Sequence, residues 1–158
     1  MRTYTQNEMA DFVAIQRLQA SYADIVTRRA WVELKQIFLP DITLQIDKRD
    51  GAPLLFRTPE AIGDFIRTSI EQFDFFEFVI LNSVVDLGSP DPARATARMY
   101  MVELRQSRDS GRRSNAFGLY RDTFVKQDEE WWFEARGYRS AARTAARELD
   151  AFGFGVDD

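Results

Sequence analysis

The chain is 158 residues long, carries a formal net charge of −4, and holds neither histidine nor cysteine. Within this chain that excludes an imidazole base, a thiolate nucleophile, a disulfide and a His/Cys metal site, and it offers no basic field for nucleic acid. Carboxylates, phenols, hydroxyls, guanidinium groups and amines remain for chemistry, set among 13 Phe, 5 Tyr and 3 Trp.

Thr5-Gln6-Asn7-Glu8 is a capping-box pattern, and Phe12, Ile15, Leu18, Tyr22, Ile25 and Val26 follow on one stripe of a first amphipathic helix. A shorter second helix is expected from about Ala30 to Phe38, presenting Trp31, Leu34, Ile37 and Phe38 and stopped by Pro40-Asp41. Ile42 to Asp47 alternates as a half-buried strand does, and Lys48 to Pro53 reads as the turn to Leu54-Leu55-Phe56, which makes a hairpin. Thr58-Pro59-Glu60 supplies a capping hydroxyl, a first-turn proline and an acid, and Ile62, Phe65, Ile66 and Ile70 line a third helix ending near Phe73.

From Phe75 the period becomes two. Strands are expected at Phe78 to Asp86, Ala93 to Arg105, about Ser114 to Lys126, and Trp131 to Arg139, joined by Gly88 to Pro92, Asp109 to Gly111 and Gln127 to Glu130. Ala141 to Leu149 has helical propensity, and Phe152 to Asp158 reads as loose or docked by its two Phe. The length fits one domain over 1–158, with a core from about 8 to 140 and a tail from 141 to 158. No window approaches the ~18 apolar residues of a membrane span and the amino terminus lacks the apolar run of a signal peptide, so a cytoplasmic protein is expected.

Helices at the front and a long antiparallel meander behind them give an α+β domain in which one curved sheet wraps the helices, and the hollow between is the natural pocket. Phe73, Phe75, Phe76 and Phe78 form the densest aromatic cluster; they suit a flat apolar ligand or fill the hollow outright. On the last strand Trp132, Glu134, Arg136 and Tyr138 alternate with Trp131, Phe133 and Ala135. Two apolar-leaning faces point to a homodimer through the sheet, or to cover by the carboxy-terminal segment.

The run Ile15-x-x-Leu18-x-x-x-Tyr22-Ala23-Asp24, then Arg28-Arg29-Ala30-Trp31 and Leu34-x-x-Ile37-Phe38-x-x-Asp41, resembles the opening of the SnoaL-like branch of the nuclear transport factor 2 superfamily. Asn82 to Asp86, Gly118 to Phe124, and Trp132 with Arg136 resemble its later strands, so the likeness spans about residues 8 to 140. The resemblance implies a cone-shaped, mixed or mostly antiparallel sheet around amino-terminal helices, a cystatin-like α+β barrel with an apolar pocket. The superfamily holds dehydratases, ketosteroid isomerase, polyketide cyclases, dioxygenase small subunits and many members without a catalytic role, so the residues must decide.

In the dehydratase branch a helix tyrosine is followed five residues later by an aspartate that works with a histidine on a later strand. Matching that tyrosine to Tyr22 puts Thr27 at the acid and Phe78 near the histidine, so the Asp–His dyad is absent. A ketosteroid-isomerase-like set implied by the resemblance is Tyr22 as oxyanion donor, Ile46 or its neighbour Asp47, and Asp122. If Ile46 faces inward, Asp47 faces outward. The candidate catalytic residues are Tyr22, Asp122, Asp47 and Asp24, each with a plainer reading: a core phenol, an outward strand acid paired with Arg121, Arg136 or another strand neighbour, a turn-proximal surface acid, and an exposed helical ion pair with Arg28.

Candidate substrate-binding residues are Trp31, Phe38, Phe65, Phe76, Phe78, Tyr100, Tyr120, Trp132 and Arg136. The functions implied are a lyase or isomerase that needs no cofactor and acts on a hydrophobic cyclic or polyketide-like compound, a non-catalytic binder of an apolar ligand, or a scaffold subunit resembling dioxygenase small subunits. The expected partners are a small hydrophobic ligand and a second copy of the chain, with no nucleic acid, membrane or metal.

Overall fold

The computed structural model describes residues 3–88, 91–145 and 148–151. Helix α1, Gln6–Arg28, begins as the capping box requires: Glu8 N donates to Thr5 Oγ1 at 3.2 Å and Thr5 N donates to the Glu8 carboxylate at 2.8 Å. It ends at Arg29, whose left-handed φ of 60° turns the chain under the last helical carbonyls. Its buried face is Ile15, Gln19, Tyr22, Ile25 and Val26.

The second expected helix is only a 3-10 helix, Trp31–Gln36, and Pro40 does not terminate it. Pro40 lies inside strand β1, Phe38–Ile46, where the pairing register slips between Phe38 and Thr43; a residue without an N–H is tolerated at such an interruption. Strand β2, Leu54–Phe56, pairs antiparallel with β1 as the expected hairpin. Helix α2, Pro59–Ile70, starts on the Thr58 hydroxyl, which accepts from Ala61 N at 3.1 Å.

Strand β3, Phe73–Leu87, begins where the third helix was expected to end, and β4, Arg94–Ser107, β5, Arg113–Gln127, and β6, Glu130–Ala145, complete the meander. The helical propensity of Ala141 to Leu149 is overridden: β6 continues to Ala145 and β7, Glu148–Ala151, folds back on it with Ala142 opposite Ala151. Ladder pairing with β5 and β7 outweighs a helix preference of a few tenths of a kcal/mol per residue. The expected loose tail, Phe152 to Asp158, lies outside the described residues, as do Ser89 and Pro90 of an expected turn.

The sheet order is β2-β1-β6-β5-β4-β3 with β7 on β6, and β1 runs parallel to β6 while the other pairs are antiparallel. The result is a curved, unclosed mixed sheet of α+β class. Helix α1 lies across β3 and β6 on its inner face, and α2 packs on the 3-10 helix and β1.

Bulges set which side chains enter the interior. Thr123 pairs with Ala135 but Phe124 pairs with Phe133, which leaves Glu134 as an extra residue. Trp131 and Phe133 are therefore buried on the same face as Arg136, three residues after Phe133, and the strict alternation expected along this strand does not hold. A second slip at Leu81 reverses β3 in the same way, so that Phe76 and Phe78 point inward before it and Ser83 after it.

Candidate functional site

The inner face of β4 runs Ala95, Ala97, Met99, Met101, all buried, and continues through Glu103 and Arg105. The adjacent strands add Tyr120 and Asp122 from β5 and Arg136 and Tyr138 from β6, and α1 adds Tyr22 and Gln19. Two layers result, one sealed and one open.

In the sealed layer Arg136 Nε donates to Asp122 Oδ1 at 2.7 Å and Nη2 to Oδ2 at 3.3 Å. Gln19 Nε2 donates to Asp122 Oδ2 at 3.3 Å, and Ser83 Oγ donates to Gln19 Oε1 at 2.6 Å. The Arg136 guanidinium carbon lies 4.0 Å from the Tyr22 ring centroid, 4.1 Å from that of Tyr120 and 4.6 Å from that of Phe133. Among the described residues Arg136 Nη1 has no hydrogen-bond partner, so the π faces around it carry that part of the solvation. Burial pushes the Asp122 carboxyl above its ordinary range and the guanidinium beside it pulls it back down.

The open layer is a cavity of about 170 Å³ between α2 and the sheet. Leu44, Ile46, Phe65, Ile66 and Phe78 form its apolar side. Tyr22, Tyr120, Tyr138, Glu103 and Arg105 form its polar side, with Arg143 at the rim. Tyr22 and Tyr120 place their hydroxyls 3.4 Å apart. Burial raises the Tyr22 phenol against the pull of Arg136, raises Tyr120 well above its ordinary value, and pushes Tyr138 up to about 12 with help from Glu103. All three phenols are therefore proton donors at neutral pH. Glu103 is the one acid among the described residues that lines the cavity, and Arg105 Nε donates to its Oε2 at 2.9 Å.

Of the sequence candidates, Tyr22, Phe65, Phe78 and Tyr120 line the cavity together. Arg136 and Asp122 lie behind it in the sealed layer, and Phe38 packs there on Tyr22 and Phe133 at 5.9 and 5.4 Å between centroids. Phe76 is buried beside Phe73, 6.4 Å away, outside the cavity wall. Trp31 packs against Gly63 of α2, in a separate surface groove. Tyr100, opposite Leu119, and Trp132, opposite Val125, are on the outer face of the sheet.

Asp24 is exposed on α1, and Arg28 Nε donates to it at 2.8 Å. Asp47 accepts from Arg49 N at 2.8 Å at the end of β1, while its neighbour Ile46 lines the cavity, the outcome that strand alternation requires. Thr27 and Phe78, the positions matched to the family's acid and imidazole, do meet: Phe78 N donates to Thr27 Oγ1 at 3.0 Å. Neither side chain moves a proton. Sequence reasoning missed Glu103, Arg105 and Tyr138 as cavity residues; the signal was the step of two from Met99 and Met101 that carries a carboxylate and a guanidinium onto the core face.

The model of the SnoaL-like domain matches residues 7–137. A candidate scytalone dehydratase from Novosphingobium aromaticivorans is similar in structure, with a TM-score of 0.78 and 19% identity over 96% of this chain and 98% of that one. A hexachlorocyclohexane dehydrochlorinase, LinA type 2, gives a TM-score of 0.76 and 16% identity over 93% and 94%. A protein of cystatin-like fold from Caulobacter vibrioides gives 0.65 and 17% over 82% and 88%. These likenesses concern the fold. No curated protein matches the chain.

Proposed function

The chain belongs to the SnoaL-like domain family, and we propose that it is a small-molecule pocket protein performing proton transfer without a cofactor on a hydrophobic cyclic compound, as a lyase or isomerase. The observation that carries this reading is the placement of Glu103 on one cavity wall with the three phenols. Asp122 is engaged on both oxygens by Arg136, and Asp24 and Asp47 lie outside the cavity, so the base is assigned to Glu103 in their place.

In this scheme the Glu103 carboxylate takes a proton from the carbon beside a carbonyl, and the C–H electron pair moves onto the carbonyl oxygen. The Tyr22–Tyr120 hydroxyl pair donates to that oxyanion. Return of the proton to a different carbon gives an isomer. Collapse of the enolate with loss of a β-substituent, which departs with the electrons of its own bond, gives an elimination. Dehydratase and dehydrochlorinase, the activities in the names of two similar structures, are both eliminations and support this class.

The test is NMR in deuterated water with a panel of single-ring β-hydroxy ketones, charged and neutral, followed for α-proton loss and for elimination. Turnover should vanish in Glu103→Gln and fall by about 10²–10³ in Tyr22→Phe. A parent protein no faster than buffer across the panel rejects catalysis and leaves the second reading, a pocket that binds without turnover, which the inert Thr27–Phe78 pair favours. We also propose that two copies pair through the outer sheet face, where Phe75, Leu81 and Val84 are exposed by 50%, 57% and 45%.

A further inference from the structure

We infer that the ligand of this cavity is a single-ring compound carrying an anionic group, held at the rim by Arg105 and Arg143, and that its arrival draws Arg105 away from Glu103. The inference rests on the pocket reading above and adds the substrate class to it.

Size comes first. A dry cavity of about 150 Å³ accommodates one benzene, so about 170 Å³ here takes one six-membered ring with small substituents. Charge follows. The chain as a whole is −4, yet among the described residues the charged groups lining this cavity are one carboxylate, Glu103, and two guanidinium groups, Arg105 and Arg143. Tyr138 lies on the same wall, where burial raises its phenol, the charge of Glu103 adds to that, and the charges of Arg105 and Arg143 oppose it. The excess cation sits on planar forks that match a carboxylate or enolate.

The Glu103–Arg105 contact gives this charge a use. Both Nε and Nη2 of Arg105 donate to Glu103 Oε2, with the side chains 21% and 15% exposed, and the guanidinium stands 5.2 Å over the Phe73 ring. Both donors of the fork are spent on that one carboxylate oxygen, which they cover. An incoming anion competes for the same fork, so Glu103 is released only when a ligand occupies the ring site. Glu103 is thus guarded in the empty protein and unmasked in the loaded one.

The experiment titrates the full chain with benzoate and with benzamide, which share a shape and differ in charge, following the tyrosine ring signals by NMR at fixed ionic strength. Benzoate should bind about fivefold more tightly than benzamide, the scale of one partly exposed ion pair. Arg105→Met should erase that preference, Arg105→Lys should keep most of it, and Glu103→Gln should tighten benzoate by about fivefold while leaving benzamide unchanged. Melting curves of each variant confirm that the fold is retained. Equal binding of the two probes, or undiminished benzoate binding in Arg105→Met, overturns the anionic class and leaves the pocket reading standing. If neither probe binds, both fall.

Discussion

Arg136 Nε donates to Asp122 Oδ1 at 2.7 Å in a place where the two side chains are 1% and 0% exposed. Breaking such a pair from one side leaves a charge in the core with nothing to answer it. Asp122→Ala should therefore cost about 3–5 kcal/mol, whereas the double change Asp122→Leu with Arg136→Met should recover most of the loss, because two apolar groups need no partner. Urea denaturation measures both. A single variant within about 1 kcal/mol of the parent would show that the interior is wetter than the packing implies.

High pH should unfold the protein through its phenols. Tyr138 is held at about 12 in the folded chain against an ordinary 10.0, so the folded state keeps a proton that the unfolded state gives up. Its contribution is complete below pH 10 and is lost as pH climbs toward 12. Two units correspond to at most about 2.7 kcal/mol. Tyr22 and Tyr120, also raised, act in the same sense. Tyr138→Phe should flatten the fall of stability between pH 10 and 11 in urea titrations; an unchanged slope refutes the assignment.

Gly118 keeps Tyr138 in the cavity wall. A methyl group there would lie 2.3 Å from Tyr138 Cε2 and 2.9 Å from its Cζ and hydroxyl oxygen, so the ring must swing aside. Gly118→Ala should cost about 1–2 kcal/mol and bring the Tyr138 ionisation back toward 10, seen by ultraviolet titration. An unshifted phenol would mean that the ring has room.

Thr27→Val removes the acceptor of the Phe78 amide at nearly constant volume. The half-covered N–H should cost about 1 kcal/mol, read as a lowered urea midpoint at unchanged slope. No loss would mean that water takes over the amide.

Local rules carried the helices: Thr5 and Thr58 cap where their hydroxyls can, and the hairpin follows from its turn. The errors came from effects that no short window contains. Glu134 and Leu81 each add one residue against a partner strand, and the side chains that follow change face, on β6 until a further slip at Ala141, so Trp132 and Arg136, placed together by counting, stand on opposite sides. Pro40 was read as a stop because the irregular pairing that admits it depends on β6, nearly a hundred residues away. Tyr22, Phe65, Phe78 and Tyr120, named from the sequence on separate elements, come together on one cavity. Glu103 was hidden because charged residues near strand ends are ordinarily solvated, although the step of two from Met99 and Met101 puts it on the inner face.

The two helices are fastened in different ways. Asp11 accepts from Trp131 Nε1 at 2.8 Å, Gln19 bonds Ser83 and Asp122, Thr27 takes the Phe78 amide, and Arg29 reaches the Phe73 carbonyl at 2.6 Å, so polar pegs staple α1 to the sheet from end to end. Among the described residues no side-chain hydrogen bond joins α2 to any strand; it rests there on apolar contact, with the Phe65 and Phe56 rings tilted by 31° and 4.5 Å apart between centroids. Polar docking on one flank and apolar docking on the other set the order of local opening: α2 should lift from the sheet before α1 does, and its amides should exchange the faster.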